Sequence, residues 1–140
     1  MKTKTNKELI IKLDIFEDMK YSLNRIWAGW NGSQWVRKAK RDLWHSIIEQ
    51  VVEEEEIKPI DFPVEIYFEF WFRTRTLDCS NCSVMVKLIE DGLVCAWVLK
   101  DDTPQYIRHI HIKSHFLSTK EKKWIDDDFV HITIKKYEEE

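Results

Sequence analysis

Val64-Glu65-Ile66-Tyr67-Phe68-Glu69-Phe70-Trp71-Phe72, then Arg73-Thr74-Arg75-Thr76-Leu77-Asp78, then Cys79-Ser80-Asn81-Cys82-Ser83-Val84-Met85-Val86-Lys87-Leu88-Ile89-Glu90-Asp91, is the stretch that decides the fold class. Its first nine residues are rich in aromatic and β-branched side chains, which reads as a strand. The period then changes. Val84, Met85, Leu88 and Ile89 make an apolar stripe at helical spacing, so a helix is expected from about Ser80 to Asp91, with Gly92 suited to stop it. Asp78 stands at the mouth of that helix, where exposed N–H groups favour a carboxylate.

Upstream, Leu9 to Ile15 ends in apolar/charged alternation and reads as a half-buried strand. An aromatic, Gly-containing loop follows, from Ser22 to Gly32. Ser33 then caps a helix expected from about Gln34 into the acidic run Glu53 to Glu56, with Trp35 or Val36, Ala39, Leu43, Ile47 and Val51 facing inward. Downstream, Tyr106 to His115 and Phe129 to Tyr137 read as strands that can form a hairpin. The order β-α-β-α-β-β points to an α+β domain with a mixed sheet and two covering helices.

At 140 residues, with no internal repeat and only three Gly and three Pro, one domain over residues 1–140 is expected. No apolar run nears the roughly 20 residues of a membrane helix. The N-terminal MKTKTNKELIIKLDIF turns charged too soon for a secretory signal. Three cysteines are poor material for a disulfide framework, so a soluble protein of a reducing cytoplasm is expected. The formal net charge of −3 provides no global attraction to nucleic acid, so any binding must rest on a local patch.

Reactive side chains are densest between Leu77 and Asp102. Lys87 and Asp91 are one helical turn apart, and Asp101 and Asp102 lie on the turn toward the next strand. Mg²⁺ takes oxygen ligands, typically one or two carboxylates with phosphate and water, and assists phosphodiester cleavage. Asp78, Asp102 and Lys87 make a minimal set for that chemistry. Asp91 lies roughly 20 Å beyond Asp78 along a continuous helix, so those two cannot share an ion. The set therefore requires a fold-back that brings Asp101 and Asp102 to the helix mouth. The simpler reading is a capped helix with a surface ion pair.

These residues resemble the active-site region of the RusA family of Holliday-junction resolvases, found largely in phages and prophages. Lys87, Asp91, Asp101 and Asp102 fall at the family's mutual spacings, and Leu77-Asp78-x-x-Asn81 resembles its opening motif. Ser22-Leu23-Asn24-Arg25-Ile26-Trp27 resembles the family's Ser-x-Asn-Arg-aromatic loop. The resemblance implies a homodimer that binds four-way DNA junctions and nicks them with Mg²⁺ or Mn²⁺, with no small-molecule substrate. Asp78 and Asp102 would then be metal carboxylates, with Asp101 and Asp91 as further donors, and Lys87 the cationic helper. The family has a second Asp two residues after the first, where this chain has Ser80. That departure leaves a second expectation open, a non-catalytic relative that binds DNA or protein on the same fold.

Arg37, Lys38, Lys40 and Arg41, with Asn24, Arg25, Arg73, Arg75 and Asn81, are the candidate DNA contacts. Trp27, Trp30 and Trp35 among them can stack on unpaired bases or pack internally. Cys79-x-x-Cys82 offers half of a zinc motif, with Cys95 and His109, His111 or His115 as further ligands. His109 and His111 share a strand face by alternation.

Overall fold

The computed structural model describes residues 8–22 and 34–138. Four strands form a mixed sheet among them: β1 (Glu8–Ile15), β2 (Val64–Trp71), β3 (Ile107–Ser114) and β4 (Asp128–Lys136). The two long helices are α1 (Gln34–Glu54) and α2 (Cys79–Cys95); a 3₁₀ turn (Glu17–Met19) and a short α3 (Thr119–Lys122) complete the elements. This is the expected α+β class with helices and a mixed sheet.

The strand order is β1-β4-β2-β3. β4 is antiparallel to both β1 and β2, and β3 runs parallel to β2. The expected hairpin of the last two strands does not form. β2, α2 and β3 make a parallel crossover unit, which leaves β4 to insert between β1 and β2. Side chains explain the choice. β4 carries Val130, Ile132 and Ile134, all buried, and belongs in the centre. β3 reads Ile-Arg-His-Ile-His-Ile-Lys-Ser and is mostly exposed, which suits an edge guarded by charge.

Alternation puts Ile11, Leu13 and Ile15, Val64, Ile66, Phe68 and Phe70, and the buried β4 residues on one face. That face shares a core with Met85, Leu88, Ile89 and Leu93 of α2 and with Trp44 and Ile48 of α1. Val36, Leu43, Ile47 and Val51 of the expected α1 stripe are partly buried and pack against the core, but they are not its deepest residues. Trp44 and Ile48 are the buried ones, while Ala39 is exposed and Trp35 is 81% exposed. The indole Nε1 of Trp44 donates to the Met19 carbonyl at 2.8 Å, which ties α1 to the 3₁₀ turn and rotates that side inward.

Gly92 does not stop α2. The helix continues through it to Cys95, and glycine suits the position because α1 comes so close that a Cβ would lie 2.6 Å from Ile48 Cδ1 and 3.3 Å from His45 Cδ2. The capping Ser33 and most of the loop before α1 lie outside the described residues.

Candidate functional site: a basic cleft beside a lysine held by aspartates

The connection from β2 into α2 is anchored before the site begins. Arg73 and Thr74 donate backbone N–H groups to Asp128 Oδ1 at 2.6 and 3.1 Å, and the Thr74 hydroxyl donates to Oδ2 at 2.7 Å. Lys20 pairs with the same carboxylate and donates to Thr74 Oγ1. Burial by itself would raise the Asp128 pKa, but Lys20, the Thr74 hydroxyl and the two N–H donors hold it below the usual carboxylate value. Further along, the Ser114 hydroxyl donates to the Leu77 carbonyl, fixing the start of α2 against the end of β3.

Asp78 is the N-cap of α2. Its Oδ1 accepts from the Asn81 backbone N–H at 2.9 Å and from Asn81 Nδ2 at 3.0 Å. That satisfies one orphan helix donor and engages Asn81 as well.

Lys87 lies nine residues on, about 13 Å of helical rise. Its ammonium donates to Asp102 Oδ2 at 2.6 Å and sits 3.5 Å from Asp91 Oδ1. The chain returns to this point because Val98 and Leu99 are buried and tie the post-helix turn down: Val98 N–H donates to Leu93 O, and Ile60 N–H donates to Val98 O. Asp101 then accepts the Asp102 N–H at 2.8 Å, which orients the second carboxylate. The expected fold-back therefore exists, but it meets the middle of α2 and not its mouth. The structure brings together Lys87, Asp91 and Asp102, with Asp101 bonded to the Asp102 N–H; Asp78 stands apart.

Charges within this group shape one another. The hydrogen bond with Asp102 raises the Lys87 pKa, with Asp91 adding to the effect, and the same bond lowers that of Asp102. Glu90, which the sequence reading passed over, is buried beside them. Burial pushes its carboxyl up to about 7; Lys87 opposes this, and Asp102 and Asp91 add to it. Its position among the apolar residues of α2 was the available signal.

Lys87 also lines an open cleft of about 600 Å³ between α1 and α2, whose walls carry Trp35, Arg37, Lys38 and Arg41 over an apolar floor of Tyr21, Val84 and Leu88. Lys38 pairs with Asp42 at 2.7 Å, and Arg41 lies 3.9 Å from it. A protein of net negative charge thus presents four cations and an exposed indole around one hollow. Arg73 and Arg75 are exposed on the turn before α2 and do not line this cleft. Asn24, Arg25, Trp27 and Trp30 lie outside the described residues.

Cys79 and Cys82 share the first turn of α2, and Cys95 ends the helix. Cys79 donates its thiol to the Ile112 carbonyl at 3.4 Å, while Cys82 is buried and its thiol is pushed up to about 12, chiefly by burial. A thiol so placed is a poor source of the thiolate zinc requires. Among the described residues no three His, Cys, Asp or Glu side chains gather in a metal-holding geometry. Asp91 and Asp102 do reach one cationic position together, and two carboxylates completed by water and phosphate are an ordinary environment for Mg²⁺ or Mn²⁺. The donor chemistry there fits such an ion. No family model matches this sequence, and no curated protein matches it.

Proposed function

We propose that this chain acts on branched DNA, taking a strand in the cleft between α1 and α2 and cutting it beside Lys87 as a RusA-like endonuclease. The observation that carries the reading is the Lys87–Asp102 contact across fifteen residues of sequence, at the rim of a cleft walled by Arg37, Lys38 and Arg41. Arg and Lys hold phosphates without regard to sequence, and the exposed Trp35 ring is available to an unpaired base. Asp91 and Asp102, with Asp101 beside them, would hold the Mg²⁺ or Mn²⁺. That ion supplies Lewis-acid stabilisation of the charge on the phosphate. Lys87, whose pKa is raised by its bond with Asp102, would donate to a phosphate oxygen.

A second reading is favoured by Asp78, whose carboxylate caps α2 far from Lys87, and by Ser80 in place of a second acid. It is a relative that binds branched DNA in the same cleft without cutting it.

A synthetic four-way junction decides between them. The first reading expects nicking in Mg²⁺ or Mn²⁺ by the wild type and none by Asp102→Asn, with binding kept. Binding without nicking in either metal supports the second. Absence of binding at low salt removes both.

A further inference from the structure

α1 and α2 run side by side in the same direction: His45 and Ile48 meet Gly92, and further along both helices Glu49 and Glu53 share a hollow with Trp97. Their C-terminal ends therefore lie together, each with the partial negative charge of unsatisfied carbonyls. A cation in the last turn ordinarily offsets that charge, and neither helix has one there. The chain does the reverse and closes α1 with Glu53, Glu54, Glu55 and Glu56. Lys58 and Lys100 follow the two helices in sequence, but neither lines the hollow. Among the described residues no cation pairs with Glu49 or Glu53.

The hollow, of about 440 Å³, has an aromatic wall whose backbone is strained. Val98 N–H donates to Leu93 O and Trp97 N–H to Val94 O, the pair of bonds that ends a helix on a left-handed residue. That residue is ordinarily glycine; here it is Trp97, at φ 67°. A bulky side chain is strained in this conformation, and burial does not compensate, because Trp97 is 80% exposed. Strain kept at an exposed aromatic is a mark of function.

We propose that this hollow is a docking site for an arginine-bearing segment of a partner protein. A guanidinium lies flat on an indole and forks onto a carboxylate, whereas an ammonium is a strongly hydrated point charge. Trp97 supplies the ring, Glu49 and Glu53 the carboxylates, and Val52 with Ala96 an apolar lining for the methylene stem. Nucleic acid is repelled from this end of the molecule, and a free polyamine has no planar group to lay on the ring. The cleft walled by Arg37, Lys38 and Arg41 opens nearer the start of α1, so a phosphate chain and this partner would occupy different sites.

Fluorescence anisotropy on the whole chain tests this, with a short labelled and capped peptide of alternating Gly and Arg as the probe. Wild type is expected to bind it at low salt, and the same peptide with Gln for every Arg is expected not to bind. Glu49→Gln/Glu53→Gln and Trp97→Gly are each expected to weaken binding at least about tenfold. Trp97→Gly changes no charge, so its loss of affinity cannot come from bulk attraction. Glycine also suits that turn, so the variant is expected to unfold at higher urea than wild type. Should removing the indole disturb the chain, Trp97→Phe keeps a ring and is expected to retain most of the affinity. No binding by wild type, full affinity in the Glu49→Gln/Glu53→Gln or Trp97→Gly variant, or equal binding of the Gln peptide would overturn the proposal. So would spermine binding as tightly as the peptide, or a salt-sensitive self-association of wild type that Glu49→Gln/Glu53→Gln removes. The occupant would then be a free polyamine or a second copy. No DNA enters the assay, so its outcome is independent of junction binding or cutting.

Discussion

Three aspartates show how position decides what a carboxylate does. Asp128 is buried and accepts from two backbone N–H groups, a hydroxyl and Lys20. Removing it strands those donors, so Asp128→Ala is expected to lower unfolding stability by about 3 kcal/mol in urea denaturation. Its folded pKa lies below its unfolded one. Its contribution is therefore complete above the unfolded value and is lost as pH falls through the folded value, so the gap between wild type and Asp128→Ala should narrow below about pH 4. Asp78 does a helix cap's work: Asp78→Ala is expected to cost about 1 kcal/mol while leaving junction affinity unchanged. A large loss of affinity would return Asp78 to the site. Asp102 is different again. Its pair with Lys87 is largely solvated, so Asp102→Asn should cost under about 1 kcal/mol, a stability change too small to account for lost cutting.

At the scale of elements, close approach and strand order account for most of what the sequence left unread. Gly92→Ala is expected to destabilise by about 1 kcal/mol: the gain in helix propensity is offset by overpacking against Ile48, which is 2% exposed. A more stable variant in chemical denaturation would mean that Ile48 simply turns aside. The four strands and two long helices were legible because period and residue type change sharply between them. Their pairing was not. Nothing local in β3 or β4 shows that the thirteen residues between them carry β4 past β2, although the densely apolar alternation of β4 and the polar pattern of β3 explain the result. Gly92 looked like a helix stop because Gly suits both a cap and a crossing, and only the neighbouring helix distinguishes the two. The site was legible in part. The spacing of Lys87, Asp91 and Asp102 marked groups that do come together, whereas Asp78 was grouped with them because the place where α2 meets the returning chain depends on the buried Val98 and Leu99.

Over the whole molecule, charge is distributed unevenly enough to give a chain of net charge −3 a cationic hollow among its described residues. Binding there should weaken steeply with salt, since each phosphate contact releases counterions. Loss of one contacting Arg should reduce the slope of log affinity against log salt by about 1 without changing preference among sequences. The most direct measurement of the central claim is the equilibrium affinity of a labelled four-way junction across a salt series, for wild type and the Arg37→Ala/Arg41→Ala variant. The expected result is a steep slope for wild type, shallower by about 2 in the double variant, with the variant's far-UV spectrum unchanged. Equal affinity and equal slope for the two proteins would contradict the account.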